Sequence, residues 1–560
     1  MSPPEHEFPG KMLALSTIRP IGVYALSGLA ADGDRLYSID TLRGYLVAVN
    51  PQTNNTVILN PYQLEDKDWM NVGGLSLWQD TFWFARDEAV FWCDRQTLKP
   101  TFFAQLPYAV NGVTVWQETV YVSSQKSGYI HRFDRQTGEL TGKFRQPGVG
   151  PETLAANEAG LWVCDQTEQT VYCLDYSTGA IQRSALTPYS SPTGITFFTP
   201  PTGELICYIV YANEEPYIRD DPNSESQYEL TCRDRTFIHP LHLYTNQAEH
   251  YTLSNGYLVE LSYVEELAPL DAVTLDQVEW RVALPATTLR QRVRHVEAIG
   301  HPFTLEEQNG QPVAVFRFDQ LKPFQGGLVG WKAIVELYSI KYCLTPDDIE
   351  VAADRALPAD FQRYLVDNDD LAMDTPTIQQ AAREGAGTET NVLRKMLKIR
   401  NYVYDRLSYG IRPKIDTPDV ALERGVGSCG EYVGVLLALA RLSGIPCRTI
   451  GRYKCPAHPE YRHVPLEPDF NHVWLEFYVP GVGWLPMESN VDDVIERGPY
   501  PERFFMGLAW YHTEIGKGIP FSKIHAPNKP EKLSVRDLAL NHIRFQILDE
   551  LIPGETMTTP

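Results

Sequence analysis

The chain has 560 residues, of which 43% are hydrophobic and 21% charged, and its formal net charge at pH 7 is −22. This length exceeds what one hydrophobic core supports, so several domains are expected. The acidic balance argues against nucleic-acid or anionic-membrane partners, because both require clustered Lys and Arg. The nine scattered cysteines indicate reduced thiols, and no signal peptide or membrane-spanning apolar stretch is evident. We therefore expect a cytoplasmic protein.

Five related segments occupy the first 200 residues. Each has an apolar start, a polar turn and a β-rich strand, and they align at positions 46, 38, 41 and 41 residues apart: Leu29, Leu75, Val113, Leu154 and Ile195. Between them recur the turns "VNPQT", "CDRQT", "FDRQTG" and "LDYSTG". A period near 40 is typical of propeller blades. The segments resemble NHL and YVTN repeats, so we expect residues 15–262 to form an all-β propeller of five blades, or six with an irregular one.

Three further regions follow the repeats. Residues 270–345 alternate in short strands with turns such as "QNGQ", which predicts a small antiparallel β-sandwich. Residues 346–520 contain amphipathic helical sequence and later strands, and so predict an α+β core. Residues 521–560 are expected to form a C-terminal extension. On this division, a chain truncated to begin near residue 265 is expected to keep the chemistry of the core.

A single cysteine stands at a predicted helix start in "ERGVGSCGEYVGVLLALARLSGIPCRTIGRY". Ser428 and Glu431 form a capping-box pattern, which makes Cys429 the first helical residue. Apolar residues on all sides predict a buried helix from Cys429 to Ser443. Helix N-termini stabilise a thiolate, so Cys429 suits a nucleophile, although a small buried core cysteine is the simpler alternative.

The stretch "NHVWLEFYVPGVGWLPMESN", residues 471–490, alternates apolar and polar positions and predicts a β-hairpin that opens at His472. We expect Tyr478 to pair with Trp484 across the turn. This register places His472 opposite Asn490 and diagonal to Glu488 on one face. Cys, His and a carboxylate are the set that cysteine acyl-transfer chemistry requires.

With these motifs, residues from about 275 to 520 resemble the transglutaminase-like superfamily, which shares the papain-like cysteine-enzyme core. The matches are the Gly-x-Cys helix start, "LARLSGIPCRTIGRY", the His-x-Trp-x-Glu strand and the Gly-Trp hairpin return. The resemblance implies that Cys429 is the nucleophile, His472 the general base and later acid, and Glu488 the residue that orients His472. The family usually has Asp before Pro-Thr where this chain reads "MESN", so Asn490 is a second candidate. Glu488 is preferred because it spans the diagonal and adds charge.

The implied reaction is thiolate attack on an amide or ester carbonyl to give a thioester, with the Cys429 N–H helping to hold the oxyanion. Tyr409 could add a donor, but a core-packing role is preferred for it. Hydrolysis, as in a cysteine peptidase or amidase, is the favoured outcome. Protein-glutamine acyl transfer, which cross-links, is the first alternative, and a noncatalytic propeller-based assembly protein is the second.

We expect neither a cofactor nor a metal. Four metal-binding residue types lie close together, but their spacing matches no common zinc pattern: Cys447, Cys455, His458 and His463. An EF-hand loop is also absent from the sequence. The expected partner is a protein or peptide substrate recruited by the propeller, with no nucleic acid and no membrane.

Overall fold

The computed structural model describes residues 17–62, 69–199, 203–220, 228–267, 274–350, 357–468, 471–529 and 533–554. The chain divides between Thr245 and Asn246 into two compact units.

Five antiparallel sheets make up the first unit. Four have four strands in sequence order: β1 Leu26–Asp32, β2 Arg35–Asp40, β3 Tyr45–Val49 and β4 Thr56–Ile58; β5 Val72–Trp78, β6 Thr81–Arg86, β7 Ala89–Asp94 and β8 Thr101–Gln105; β9 Gly112–Trp116, β10 Thr119–Ser124, β11 Tyr129–Asp134 and β12 Leu140–Arg145; β13 Glu152–Asn157, β14 Gly160–Asp165, β15 Thr170–Leu174 and β16 Ile181–Leu186. The fifth contains β17 Pro192–Phe198, β18 Ile206–Asp220 and β19 Tyr228–Leu241, and Ile18 bridges to Ile238 at its outer edge.

The recurring "VNPQT" and "DRQT" motifs connect the third and fourth strands of the first four sheets. In each motif the Asn or Asp side chain accepts hydrogen bonds from the backbone N–H groups two and three residues later. For Asp134 these bonds measure 3.0 and 2.8 Å. Such Asx turns need a side-chain acceptor at their first position, which explains why Asn or Asp recurs there.

The first strands of the five sheets, β1, β5, β9, β13 and β17, meet around a common cavity. Each contacts the first strand of the next sheet, and β17 contacts β1. At Gly28, whose φ is +67°, an added Cβ would lie 2.3 Å from the Leu75 backbone nitrogen, so the strands approach too closely for a side chain. All five strands line a cavity of about 200 Å³. The five aligned repeat residues are buried in these strands.

The strands of the second unit form two larger and two smaller sheets. The larger sheets have the orders β23–β26–β21–β35–β30, with β33 beside β26, and β24–β25–β22–β34; the smaller are β29–β31–β32 and the parallel pair β27–β28. Their bounds are β21 Tyr251–Leu267, β22 Leu275–Ala283, β23 Gln291–Gly300, β24 Thr304–Gln308, β25 Gln311–Leu321, β26 Gly327–Tyr342, β27 Ser408–Tyr409, β28 Val426–Gly427, β29 Cys447–Arg452, β30 Pro465–Leu466, β31 His472–Val479, β32 Gly483–Met487, β33 Gly507–Leu508, β34 Ser522–His525 and β35 Ala539–Leu551; a short strand, β20, covers Leu243–Asn246.

The described residues of the second unit include five α-helices: α1 Pro346–Glu350, α2 Pro376–Ala386, α3 Val392–Tyr404, α4 Pro418–Arg424 and α5 Cys429–Leu442. Three short 3-10 turns cover Ala359–Tyr364, Pro459–Tyr461 and Val535–Asp537. Helix α5 packs against α2, α3, α4 and strands β29 and β31, and its apolar side chains belong to the largest core cluster of the unit. A helix surrounded in this way needs apolar residues on every side, as its sequence has.

The unit boundary differs from the predicted propeller limit of residue 262. Strand β21 pairs with β26 along one edge and β35 along the other, at the centre of the second unit's sheet. A chain that begins near residue 265 would lack most of this strand, and its retention of the core's chemistry stays a prediction. The extension after residue 521 is likewise integrated, because β34 pairs with β22 and β35 with β21. Alternating apolar residues predict a strand but not the sheet that it joins.

Candidate active site

Helix α5 begins at Cys429, as the capping pattern predicts. Ser428 has extended backbone angles, and its N–H donates to Glu431 Oε2 at 2.6 Å. The helix ends at Leu442, one residue before the predicted end, and Gly444 follows with φ +79°. Cys429 is only 8% exposed. Its position at the first turn directs the unpaired backbone N–H groups of the helix start towards the thiol region.

Glu431 also anchors the segment that approaches the cysteine. Its Oε1 accepts from Arg424 Nη2 at 2.7 Å and from the Asp416 N–H at 3.3 Å. Arg424 forms a further ion pair with Asp416. A capping carboxylate with charged hydrogen bonds of this kind fixes the helix start more firmly than a backbone cap alone.

The hairpin that carries the histidine has the predicted register. Tyr478 pairs with Trp484, and the pairing continues to Leu475 with Met487. Strand β31 begins at His472, which is 3% exposed, and Glu488 follows directly after the end of β32. The register and the strand ends therefore bring these two side chains to the same place.

His472 and Glu488 are in direct contact. His472 Nε2 lies 2.8 Å from Glu488 Oε1 and 3.0 Å from Oε2. With Nε2 facing the carboxylate, Nδ1 is the nitrogen left for Cys429, which lies close enough to the ring for each group to shift the pKa of the other. Burial lowers the pKa of His472, but the charge of Glu488 and the hydrogen bonds to Cys429 and Glu488 outweigh it, so the pKa lies above its ordinary 6.5.

The pKa of the Cys429 thiol is shifted in the opposite direction, below its ordinary value. Burial alone would raise its pKa, yet the hydrogen bond and charge of His472, with the Val473 N–H, hold it below the ordinary 9.0. A lowered thiol pKa beside a raised imidazole pKa favours the thiolate–imidazolium pair that cysteine nucleophiles use.

Glu488 receives more donors than the sequence predicts. The Ser489 N–H donates to Oε2 at 2.8 Å, and Lys454 Nζ lies 3.6 Å from Oε1. A second imidazole, His512, places Nε2 2.8 Å from Oε1. Burial raises the pKa of Glu488, but the charges of His472 and Lys454 and the hydrogen bonds from both imidazoles hold it well below 4.5.

His512 is the member of the site that sequence reasoning missed. It is fully buried, its Nδ1 lies 3.2 Å from the Ala509 carbonyl oxygen, and Trp474 packs edge-on against its ring. Burial lowers its pKa to about 4, so the ring is neutral near pH 7. It stands outside the regular strands, in a segment without periodicity. A β-bridge to Lys454 joins it to the region that follows β29.

Arg290 holds the segment that carries His512. Its guanidinium donates to the carbonyl oxygens of Ala509 and His512, each at 2.9 Å, and pairs with Glu514 Oε2 at 3.1 Å. Lys517 Nζ lies 3.1 Å from Glu514 Oε1. The segment is therefore fixed by a buried ionic network from a residue more than two hundred positions earlier in the chain.

Two other sequence expectations can now be placed. Tyr409 is 43% exposed, so the preferred core-packing role is wrong; it sits in β27 beside Gly427 of β28, close enough to Cys429 for their charges to interact. Asn490 accepts from the Ser489 hydroxyl at 2.9 Å and is not brought to the imidazole by any hydrogen bond among the described residues. Cys447 and Cys455 are both buried, and Cys447 belongs to the core cluster around helix α5.

Comparisons with known proteins address this region. The sequence profile of the Transglutaminase-like superfamily matches residues 379–489, which include the cysteine, the histidine and the carboxylate. Residues 379–489 form a transglutaminase-like domain. A Pseudomonas aeruginosa protein-glutamine gamma-glutamyltransferase is 22% identical over 104 residues, which is 18% of this chain and 16% of that protein's length.

Two solved structures match the chain at low similarity. A Cytophaga hutchinsonii protein designated a cysteine protease is 16% identical with a TM-score of 0.37, covering 53% of this chain and 93% of that one. Myxococcus xanthus glutaminyl cyclase is 11% identical with a TM-score of 0.28, covering 40% of this chain and 95% of that one. Among the described residues, no helix has the length and apolar character needed to cross a membrane.

Proposed function

We propose that the second unit is a cysteine enzyme that acts on amide bonds of proteins or peptides through a thioester. The observation that carries this proposal is the position of His472, whose ring contacts Glu488 at 2.8 Å through Nε2 and lies close enough to Cys429 to lower the pKa of the thiol. In these roles Cys429 is the nucleophile, His472 the proton carrier and Glu488 the residue that orients and charges the ring.

The first half-reaction follows from these contacts. The thiolate of Cys429 attacks the carbonyl carbon, and the carbonyl oxygen takes up the negative charge near the Cys429 N–H. Collapse of the tetrahedral adduct breaks the C–N bond, and His472 gives its proton to the departing amine. The products are a thioester on Cys429, a free amine and a neutral imidazole.

In the second half-reaction, His472 takes a proton from the incoming nucleophile as that nucleophile attacks the thioester carbonyl. With water as the nucleophile, the C–S bond breaks to give a carboxylic acid and the Cys429 thiolate, and the proton held by His472 restores the resting thiolate–imidazolium pair. We propose hydrolysis as the main outcome, which makes the protein a peptidase or amidase. Incubation with a glutamine-containing peptide and a labelled primary amine, followed by mass spectrometry, tests this choice: hydrolysed peptide is expected to exceed the amine adduct.

Transfer to an amine is the second candidate. Its support is the 22% identity to a protein-glutamine gamma-glutamyltransferase over 104 residues. In that case the labelled amine adduct dominates in the same experiment, and hydrolysis becomes the side reaction.

The third possibility, a noncatalytic assembly protein, makes a different prediction for Cys429. A catalytic cysteine must be activated, whereas a structural cysteine need not be. At 8% exposure, an unactivated Cys429 would react slowly. Alkylation by iodoacetamide at pH 7 is expected to be faster at Cys429 than at an ordinary exposed thiol. Equal or slower alkylation, together with no acylation by p-nitrophenyl acetate, would favour the noncatalytic role.

We infer that the five sheets of the first unit are blades of a five-bladed propeller that recognises the protein substrate. The support is the contact of each first strand with the next, the return of β17 to β1 and the cavity of about 200 Å³ between them. Capture of cellular proteins by Cys429→Ala, compared with capture by residues 246–560 of the same variant, tests the recruitment. Identical sets of captured proteins would remove the recognition role.

A further inference from the structure

The second unit contains a cavity of about 680 Å³ whose lining includes none of Cys429, His472 and Glu488. One wall is formed by β21, another by the segment that follows β34, and a third by Arg452 at the end of β29. Arg452 pairs with His472 across the adjacent strands β29 and β31. The cavity therefore lies near the strand of His472, although His472 itself does not line it.

A buried carboxylate, Glu265, is among the residues that line this cavity. Glu265 is 1% exposed, and its Oε1 accepts from the hydroxyl of Tyr263. Its Oε2 has no hydrogen-bond partner among the described residues, although it is fully shielded from solvent. A buried carboxylate oxygen without a donor costs free energy that a bound donor would recover.

A positively charged side chain, Arg452, lines the same cavity as Glu265. The guanidinium of Arg452 stacks over Phe521 at 4.7 Å, and its Nε has no hydrogen-bond partner among the residues that the structure describes. Arg536 adds an exposed guanidinium to the lining. Ile524 and Leu533 supply an apolar wall.

The combination of a carboxylate and two guanidinium groups in one cavity selects against singly charged ligands. A cation that reached Glu265 would meet two guanidinium groups, and an anion that reached Arg452 would meet a buried carboxylate. A ligand that carries both charges on neighbouring atoms satisfies each group, and an apolar side chain on that ligand would cover the apolar wall.

We propose that this cavity binds the zwitterion of an apolar α-amino acid, with its ammonium group on Glu265 and its carboxylate on Arg452. The inference does not depend on the reaction at Cys429. It rests on the two unpartnered atoms, the cavity volume and the arrangement of charge around them.

Calorimetric titration of the full chain with L-leucine tests the proposal. Saturable binding is expected, and two analogues of similar shape are expected to bind about tenfold more weakly or worse: 4-methylpentanoate, which lacks the amine, and 3-methylbutylamine, which lacks the carboxylate. Absence of leucine binding at about 10 mM, where only interactions weaker than about 3 kcal/mol escape detection, would overturn the proposal. Equal binding of either analogue would also overturn it.

Substitution locates the site. Glu265→Gln is expected to weaken leucine binding about tenfold, because a charged hydrogen bond becomes a neutral one. Glu266→Gln is the matched control, since Glu266 is the next residue, is 53% exposed and pairs with His542 at 2.9 Å. Arg452→Gln provides an independent variant, and thermal unfolding checks that each protein is folded. Unchanged affinity in both Glu265→Gln and Arg452→Gln would place any leucine elsewhere and reject the proposal.

Discussion

Two buried carboxylates in the second unit, Glu488 and Glu514, show how the same group serves different purposes. Both are at most 3% exposed. Glu514 is paired with Arg290 and Lys517, each at 3.1 Å, and burial, which would raise its pKa, is outweighed by these cations so that the pKa falls to about 2. Glu488 is surrounded mainly by two imidazoles, with Lys454 more distant at 3.6 Å.

The difference lies in the partners rather than in burial. Guanidinium and ammonium groups stay charged throughout the working range of pH, so the Glu514 network can only hold structure. His472, whose pKa lies above 6.5, can exchange a proton near neutral pH, so the Glu488 cluster can take part in proton transfer. Burial and a depressed pKa alone would therefore not have separated the structural site from the candidate catalytic one.

The most damaging change to the Glu488 cluster should be His472→Ala, which removes the proton carrier. We expect the single-turnover rate of acylation by p-nitrophenyl acetate to fall about 10⁴-fold, because proton transfer and the thiolate partner are both lost. His458→Ala, in the loop after β29, is the control and should react like the wild-type protein. A loss below about tenfold would mean that another group accepts the proton.

The corresponding change in the structural network is Glu514→Ala. It leaves Arg290 and Lys517 buried without their carboxylate, so we expect the free energy of unfolding to fall by about 3–5 kcal/mol. Urea unfolding measures this loss, and the exposed Glu496→Ala should change stability by less than about 0.5 kcal/mol. If Glu514→Ala is as stable as the control, the network does not hold the segment that carries His512.

The comparison of Glu488→Gln with Asn490→Ala tests the third member of the site. Glutamine keeps the shape but loses the charge that stabilises the imidazolium, so acylation should slow about 10²-fold. Asn490 contacts Ser489 rather than the ring, and its removal should change the rate by less than about threefold. The reverse ranking would transfer the orienting role to Asn490.

His512 is a positioning residue, since it acts through Glu488. We expect His512→Ala to lower the acylation rate about tenfold, and His512→Gln, which can still donate, to recover part of it. Without this donor the pKa of Glu488 rises, so the acid limb of the pH–rate profile should move to higher pH. A uniform loss of rate with an unchanged profile would indicate a purely structural role.

The smallest expected effect is a shift in the pH dependence of iodoacetamide alkylation. The thiolate fraction rises as pH passes through the pKa of Cys429, so the wild-type midpoint should lie below 9.0. In His472→Ala, burial acts without the imidazole and raises the thiol pKa, so the midpoint should lie above that of the wild-type protein. Identical midpoints would show that the imidazole does not activate the thiol.

Local sequence determined much of the candidate site. The capping pattern and the apolar helix located Cys429, because helix starts and buried helices depend on neighbours within one or two turns. The alternation of residues 471–490 set the hairpin register that joins His472 to Glu488, because side chains alternate strictly along a strand. The turn motifs of the first unit are equally local, since each Asp bonds to N–H groups two and three residues later.

Tertiary structure alone decided the rest. Strand β21 has the same alternating pattern whichever sheet it joins, and only its pairing with β26 and β35 assigns it to the second unit. His512 comes within 2.8 Å of Glu488 because Arg290, which lies just before β23, holds the segment around it. The Glu265 cavity likewise combines residues from separate parts of the chain. Such contacts depend on packing between distant segments, and no periodicity in the sequence records them.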